Sequence, residues 1–204
     1  KAKQANIGEV YVATEDQEII EDVEKNGGQA ILTKKNHKTG TDRIYEAFKK
    51  LGKSDIELVM NLQGDEPLMN IKDIKNLNYL MIKSNSYLGT LAANISDKLF
   101  YVNHNVVKVL TEEILDFSKF VEAINFTRET KQNIQNVYHH LGVYCYQLDT
   151  LKKFVSLKQS LNEKKNKLEQ LRALDNNIKI NVALASEAPI GVDTEEDYLA
   201  LKKI

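Results

Sequence analysis

The first 85 residues alternate between short apolar runs and segments with apolar residues at helical spacing. The apolar runs at 9–13, Ala30–Leu32 and 56–62 predict strands, and the segments 14–27 and 39–51 predict amphipathic helices. The third run is apolar nearly throughout, which is typical of a strand buried on both faces. Strands and helices that alternate in this way predict an α/β fold with a mainly parallel sheet flanked by helices.

Hydroxyl residues followed three positions later by a polar partner predict the starts of the helices. The pairs are Thr14 with Gln17, Thr39 with Asp42, Ser160 with Glu163, and Thr194 with Asp197. The third pair predicts one continuous helix from Ser160 to about Asn176, with Leu168, Leu171 and Leu174 on its apolar side.

The middle of the chain has a different pattern. Runs at 88–95, 106–110 and 138–146 predict strands without long helices between them, so we expect antiparallel or mixed pairing there. The segment 112–135 is polar and poorly periodic and predicts no element, and 180–185 predicts a further strand. We expect a single domain over residues 1–204, in which roughly 96–150 form a smaller mixed or antiparallel part.

Composition excludes several classes of protein. The formal net charge is -1, which argues against nucleic acid as a partner. The single cysteine, Cys145, rules out an intramolecular disulfide and lies in an apolar run that predicts a buried side chain. No run approaches the roughly 18 apolar residues of a membrane span. Residues 1–6 lead into no apolar stretch of a signal peptide, so we expect a cytoplasmic protein.

Acidic groups follow the third predicted strand in the segment 61–67, Asn-Leu-Gln-Gly-Asp-Glu-Pro. Ligands of open α/β sheets bind outside the carboxyl ends of the strands, and the Asp65 carboxylate is a ligand of the kind that Mg²⁺ prefers. The alternative is a simple turn, since these residue types favour turns. Asp193 likewise follows a strand and Gly191, although an aspartate before Thr194 also suits an ordinary helix start. Two such aspartates could share one cation.

A third polar segment, 37–43, has the sequence His-Lys-Thr-Gly-Thr-Asp-Arg. Its small residues open a helix whose first amides are free, and basic side chains flank them. This arrangement suits an anion or the polar edge of a base. A capped surface helix is the alternative.

These segments together, in this order, resemble the 3-deoxy-manno-octulosonate cytidylyltransferase family. The motifs are His-x-Thr-Gly-Thr-Asp-Arg at 37–43, Asn-x-Gln-Gly-Asp-Glu-Pro at 61–67, Lys-Leu-Glu-Gln-Leu-Arg at 167–172 and Gly-Val-Asp-Thr at 191–194. Further matches lie at 105–109 and 140–144, so the resemblance covers essentially the whole chain.

The resemblance implies an enzyme that transfers CMP from CTP to 3-deoxy-manno-octulosonate for lipopolysaccharide synthesis, with Mg²⁺ as cofactor and pyrophosphate as the second product. It implies a homodimer built from a nucleotide-binding α/β domain with a smaller dimerisation part. It assigns metal binding and catalysis to Asp65 and Asp193. It assigns nucleotide binding to Thr39, Gly40, Thr41, Arg43 and Gln63, and sugar binding to Arg128, His140, Glu169 and Gln170.

The sequence departs from the family pattern in two places. The family begins with a strand, a turn rich in Arg, Ser, Gly and Lys that holds the triphosphate, and a helix. We expect this strand and turn to be missing from the given residues, and residues 1–8 to be the tail of that helix and its connection. The family's Pro-Ile-Pro after the sugar-binding arginine is replaced by Glu129-Thr130-Lys131. Two alternatives remain, namely a cytidylyltransferase for another acidic sugar such as sialic acid, and an inactive dimer-forming relative. The pair Glu169-Gln170 argues against the first, and the two aspartates argue against the second.

Overall fold

The computed structural model describes residues 1–130, 134–189, 191–192, 195, 198–199 and 202. The helices are α1 (Ala2–Ala5), α2 (Gln17–Lys25), α3 (Gly40–Leu51), α4 (Ile71–Ser84), α5 (Leu148–Ser156), α6 (Leu161–Asn166) and α7 (Leu171–Asp175), with a 3₁₀ turn at Lys98–Tyr101. The strands are β1 (Val12–Thr14), β2 (Ala30–Leu32), β3 (Leu58–Asn61), β4 (Leu88–Ala93), β5 (Lys108–Thr111), β6 (Val121–Thr127), β7 (Val137–Gln147) and β8 (Asn181–Leu184). Within these ranges no helix is long and apolar enough to cross a bilayer.

The main sheet is mixed, with the strand order β3-β7-β4-β8-β6-β5. Among its described pairings only β4 with β8 is parallel, while β1 and β2 form a separate parallel pair. The prediction of an α/β fold is confirmed, but the prediction of a mainly parallel sheet is wrong. The cause is β7, an eleven-residue strand that lies between β3 and β4 and pairs antiparallel with both. The antiparallel or mixed pairing expected in the middle of the chain is confirmed.

A two-residue bulge interrupts β7 where it pairs with β4. Thr90 of β4 pairs with Tyr144 of β7, and the next residue, Leu91, pairs with Leu141. Gly142 and Val143 of β7 therefore have no partner residues on β4. The Thr90 hydroxyl lies 2.7 Å from the carbonyl oxygen of Val143 and stabilises the bulge. Because side chains alternate with a period of two, an insertion of two residues leaves the faces of β7 unchanged on either side.

Two apolar layers cover the faces of the sheet. Helix α4 packs on one face through Ile74, Leu77 and Met81, close to the buried Cys145. Burial raises the pKa of the Cys145 thiol to about 12, as expected of a small core residue rather than a nucleophile. On the other face α5 packs with Leu151 and Phe154 against the aromatic side chains of β7, and it is this layer that adjoins the candidate site.

The predicted helix starts are confirmed in part. Thr39 accepts the amide hydrogen of Asp42, and Ser160 and Glu163 form both hydrogen bonds of a capping box. The start predicted at Thr14 is wrong, because Thr14 ends β1 and the side chain of Asp16 caps α2 instead. The start predicted at Thr194 and Asp197 falls outside the described residues.

The single helix predicted from Ser160 to about Asn176 is also wrong. Lys167 adopts a left-handed conformation with φ of 53°, which ends α6, and α7 begins at Leu171. Residues 167–170 therefore form a non-helical link, which we call the α6–α7 link. Strand β6, in turn, lies within the segment 112–135, where no element was predicted.

Candidate active site

The loop that follows β3 is tied to the bulge of β7. Gln63 donates from Nε2 to the carbonyl of Gly142 at 3.1 Å, and the amide of Gly142 donates to Oε1 of Glu66 at 3.3 Å. A bulge leaves backbone groups without partners in the strand ladder, and here the carbonyl and the amide of Gly142 form hydrogen bonds with side chains of the loop instead. The loop is thereby held at one place along β7, with Asp65 exposed beside it.

The Asp65 backbone also contacts the segment that precedes Asp193. The amide of Val192 donates to the carbonyl of Asp65 at 2.8 Å. A Cβ atom added to Gly191 would lie 3.7 Å from that same oxygen, so Gly191 approaches the loop closely. Two motifs that are about 130 residues apart in sequence are therefore neighbours. Asp193 itself lies outside the described residues.

The residues present around Asp65 suit a hard divalent cation. Its carboxylate is exposed and forms no salt bridge within the described part of the chain. Carboxylate oxygens with water are the usual ligands of Mg²⁺ in sites that also bind phosphates. No group of three or more His, Cys, Asp or Glu side chains that could hold a metal by itself occurs in the described residues.

The first turn of α3 carries three of the predicted nucleotide-binding residues. Thr39 caps the helix, Gly40 is exposed, and Thr41 points into the protein with no exposed surface. The Thr41 hydroxyl lies 3.2 Å from the hydroxyl of Tyr146. A Cβ atom on Gly40 would lie 3.7 Å from the side-chain amide of Asn61, so this turn adjoins the end of β3.

Arg43, which was also predicted to bind nucleotide, faces the small sheet. It donates to the Thr33 hydroxyl at 2.8 Å and forms an ion pair with Glu15. Arg43 thus joins α3 to the ends of β1 and β2, and its guanidinium is half-buried in this position.

The α6–α7 link brings Glu169 against the first turn of α3. Burial raises the pKa of the Glu169 carboxyl, and hydrogen bonding from the hydroxyls of Thr39 and Thr41 opposes that increase. Oxygen Oε1 of Glu169 is buried without a hydrogen-bond partner among the described residues. A residue predicted to bind the sugar therefore lies beside two residues predicted to bind the nucleotide. Gln170 follows it and is buried at the start of α7.

His140 is a buried, neutral imidazole. Its Nε2 lies 3.0 Å from the Thr90 hydroxyl, and its ring packs edge-on against Phe126 with 5.0 Å between ring centres. Since the single hydroxyl hydrogen of Thr90 is directed at a backbone carbonyl, Nε2 of His140 must be the donor in this contact. Burial lowers the pKa of His140 to about 3, so the ring carries no charge at neutral pH.

Arg128 bridges two segments through backbone carbonyls. Its guanidinium donates to His104 at 2.9 Å, to Asn166 at 3.1 Å and to Lys167 at 3.2 Å. The last two acceptors end α6 and open the α6–α7 link. Arg128 therefore stabilises the backbone next to Glu169, and these three bonds leave two of its N–H groups unused among the described residues.

An aromatic ladder that the sequence analysis did not single out connects these parts. Ring centres are 5.5 Å apart from His140 to Tyr144, 6.1 Å from Tyr144 to Tyr146, and 5.9 Å from Tyr146 to Phe154. The guanidinium of Arg172 lies 4.6 Å from the centre of the Phe154 ring. The sequence does contain a signal for this ladder, namely two tyrosines at alternate positions of a strand predicted to be buried. A buried tyrosine hydroxyl usually needs a hydrogen-bond partner, so such a pair indicates a polar contact inside the core.

Arg172 ends the ladder in a buried ion pair. It donates from Nε to Oε2 of Glu163 at 2.9 Å and from an Nη to Oε1 at 2.6 Å. Next to Arg172 opens a cleft of about 590 Å³ that is lined in part by Lys38, Asp42 and Lys158.

Comparison with known proteins identifies the family of the chain. A cytidylyltransferase family model matches residues 1–180. A 3-deoxy-manno-octulosonate cytidylyltransferase of Thermodesulfovibrio yellowstonii is 42% identical over 97% of this chain and 81% of its own length. One from Afipia carboxidovorans is 38% identical over 100% of this chain and 83% of its own. The chain belongs to the 3-deoxy-manno-octulosonate cytidylyltransferase family.

Solved structures support the same assignment for the fold. The structure of CMP:2-keto-3-deoxy-manno-octonic acid synthetase complexed with CTP superposes with a TM-score of 0.82 and 29% identity, over 98% of this chain and 83% of that one. A 4-diphosphocytidyl-2C-methyl-D-erythritol synthase from Anaerococcus prevotii shares the fold alone, with a TM-score of 0.62 and 17% identity, over 100% of this chain and 85% of that one. The cytidylyltransferase fold is therefore common to chains of low sequence identity.

Proposed function

We propose that this chain transfers CMP from CTP to 3-deoxy-manno-octulosonate and releases pyrophosphate. The observation that carries the proposal is the position of Tyr144. Burial raises the pKa of its phenol, and Tyr146 and the carboxylates of Glu169 and Glu66 raise it further. Close to it along β7, Gly142 bonds to Gln63 and Glu66, and Tyr146, whose ring neighbours that of Tyr144, bonds to Thr41. The loop of Asp65, the turn of Thr41 and the α6–α7 link thus meet at one part of β7, as a site for two substrates requires.

In the proposed reaction the anomeric hydroxyl oxygen of the sugar forms a bond to the α-phosphorus of CTP. The bond from that phosphorus to the bridging oxygen breaks, and pyrophosphate leaves while the hydroxyl proton is lost to solvent or a base. Such transfers depend mainly on alignment of the reactants and on charge stabilisation. Mg²⁺ held by Asp65 and Asp193 would supply positive charge next to the phosphates.

The chain's own residues would bind and orient the substrates. Glu169 would accept hydrogen bonds from sugar hydroxyls through Oε1, which has no partner among the described residues. Gln170 and the neutral His140 would complete that side of the pocket. The free N–H groups of Arg128 would donate to the sugar carboxylate, where charge-assisted hydrogen bonds are strong. We assign the nucleotide to the turn of residues 39–43 and to Gln63.

We further propose a homodimer that uses the region 96–150. Several large apolar side chains in this part of the chain are more than half exposed, and a second copy of the chain would cover them if they form one patch. They are Leu99, Val102, Ile114, Phe117 and Ile124. Light scattering tests this directly: we expect the mass of a dimer for the wild type and that of a monomer for Phe117→Asp. We also propose that the reaction takes place in the cytoplasm, where CTP is available, and that its product serves lipopolysaccharide synthesis.

The decisive experiment measures pyrophosphate release from CTP and Mg²⁺ with each acidic sugar in turn. We expect release with 3-deoxy-manno-octulosonate, little with sialic acid, and none for Asp65→Asn with either sugar. Asp97→Asn is the matched control, because it changes an exposed aspartate that caps the 3₁₀ turn outside the site. Preference for sialic acid would establish the alternative substrate. Absence of both release and CTP binding in the protein would overturn the assignment to an active enzyme.

A further inference from the structure

We propose that Lys108 is a positioning residue that holds Arg128 in place to bind the carboxylate of the sugar acid. The buried ammonium of Lys108 fixes the backbone of Arg128, and it also fixes a turn that accepts a hydrogen bond from the Arg128 guanidinium. This inference rests on the proposed function, which assigns Arg128 to the sugar, and adds to it a residue that has no exposed surface.

The ammonium of Lys108 is fully hydrogen-bonded inside the protein. Lys108 begins β5, and its Nζ atom lies 2.6 Å from the carbonyl oxygen of Asn103, 2.7 Å from that of Val106 and 2.6 Å from that of Arg128. Three such bonds need three N–H hydrogens, so the group must be a charged ammonium, since a neutral amine has only two. A charge of this kind is rarely buried unless its hydrogen bonds are satisfied, and here all three are.

Two of these acceptors belong to residues 103–106, which we call the 103–106 turn. The amide of Val106 donates to the carbonyl of Asn103 at 3.2 Å, and the same carbonyl accepts from Lys108. The third acceptor is the carbonyl of Arg128, which directly follows β6. Lys108 therefore joins the 103–106 turn to the backbone from which the Arg128 side chain extends.

The guanidinium of Arg128 returns to the same turn. It donates to the carbonyl of His104 at 2.9 Å, and its other two bonds go to the carbonyls of Asn166 and Lys167. Arg128 is thus held at both ends, because its own carbonyl accepts from Lys108 and its side chain donates to a turn that Lys108 also holds. Loss of the ammonium would release the backbone of Arg128 and one of the three acceptors that orient its guanidinium.

Lys108 could also act at a distance through its charge. Burial lowers the pKa of Lys108, the carboxylate of Glu129 raises it, and the guanidinium of Arg128 lowers it, so the two cations are close enough to repel each other. A second positive charge near the sugar carboxylate would favour binding without any effect on the geometry of Arg128. The experiment has to separate lost charge from lost position.

Nuclear magnetic resonance measures the position directly. Lys108→Met removes the N–H donors and keeps the apolar stem of the side chain. The chain has three arginines, Arg43, Arg128 and Arg172, so protein labelled with ¹⁵N-arginine gives three Nε–H signals. The signal of Arg128 is assigned by its absence from Arg128→Met. We expect this signal to shift and broaden in Lys108→Met while the other two stay in place.

Steady-state kinetics then measure the consequence for the sugar. We expect KM for the sugar acid to rise roughly tenfold in Lys108→Met, the effect of one lost hydrogen bond to a charged group. KM for CTP should change less than about twofold, since the nucleotide is assigned to other residues. In the Arg128→Met background, Lys108→Met should raise KM for the sugar acid by less than about a further twofold, because a residue that acts through Arg128 has no effect once Arg128 is gone.

Thr111→Val is the matched control. Thr111 is also buried on β5, three positions beyond Lys108, and its hydroxyl donates to the carbonyl of Glu113 at 2.7 Å. We expect this variant to lose stability in thermal melts while it keeps the wild-type KM values and the wild-type signal of Arg128. Lys108→Gln, which keeps two N–H donors, replaces Lys108→Met in every comparison if the latter does not fold, and the same changes are expected at smaller size.

Any of three results would overturn the inference. They are an Arg128 signal that stays at its wild-type position in Lys108→Met, an unchanged KM for the sugar acid in that variant, and an undiminished effect of Lys108→Met in the Arg128→Met background. The last result would show that Lys108 acts through its charge. A wild type that releases no pyrophosphate with the octulosonate would instead contradict the proposed function, while the Arg128 signal, which needs no turnover, would still show whether Lys108 holds that side chain.

Discussion

The neutral imidazole of His140 predicts a loss of stability in mild acid. Burial lowers its pKa in the folded protein from 6.5 to about 3. As the pH falls below 6.5, the unfolded chain takes up a proton on this side chain and the folded chain does not. The unfolded state is therefore favoured progressively between pH 6.5 and about pH 3, and the stabilising effect of the neutral ring is fully present only above that window.

The size of the effect follows from these two values. Between pH 7 and pH 5, protonation of an imidazole with the ordinary pKa stabilises the unfolded state by about 2 kcal/mol, and the folded state gains almost nothing. His139 contributes in the same direction, because burial also lowers its pKa, with the charge of Lys108 as a second cause. Wild type should therefore lose at least about 2 kcal/mol of unfolding free energy over this interval from these two rings.

Urea unfolding at pH 7 and pH 5 measures this difference for wild type, His140→Gln and His104→Gln. Glutamine can still donate to the Thr90 hydroxyl but does not titrate, so His140→Gln should lose about 2 kcal/mol less than wild type between the two pH values. His104→Gln is the control, since its side chain is 67% exposed. Equal losses for wild type and His140→Gln would refute the assignment of this pH dependence to His140.

Three further predictions concern the site and its support. Arg172→Met should lower the free energy of unfolding, measured in urea, by about 3–5 kcal/mol, because Glu163 is left as an unpaired buried charge. A second substitution, Glu163→Gln, should recover part of that loss. A double variant as unstable as Arg172→Met would contradict this explanation. Gly142→Ala should lower kcat/KM for CTP by roughly tenfold at small cost in melting temperature, since the new Cβ would lie 3.1 Å from Nε2 of Gln63 and displace it. Gln170→Ala should weaken binding of the sugar acid more than of CTP in calorimetric titrations, and equal weakening would argue against separate sugar and nucleotide sides.

Local patterns in the sequence predicted most elements but not how they pair. The run Ala30–Leu32 is a strand as predicted, and the predicted strand at 138–146 is β7, which extends by only one residue at each end. What the pattern could not supply was the insertion of β7 between β3 and β4, since pairing between distant strands leaves no local periodicity. Strand β6 was missed because two adjacent residues, Ile124 and Asn125, are both exposed and interrupt its alternation.

In the candidate site, too, local features could be predicted from the sequence and contacts between distant residues could not. The capping of α3 by Thr39 was readable because it depends on residues three positions apart. The break at Lys167, which places Glu169 in a link rather than on a helix face, was not readable, because the leucines around it keep helical spacing. Local propensity is overridden there by tertiary contacts, as is common where a chain serves function. The contact between the hydroxyls of Tyr146 and Thr41 joins residues 105 positions apart, so it could be found only from the structure.

The bulge at Gly142 and Val143 has a consequence for how the length of this strand can vary. Deletion of either residue alone would put the two halves of β7 out of phase, so His140 and Tyr144 could not both face the same layer. Deletion of both would restore the phase but remove the backbone groups that hold Gln63 and Glu66. Deletion of one residue from β7 should therefore abolish folding. Deletion of both Gly142 and Val143 should leave a folded protein in which the loop of Asp65 is no longer anchored to β7.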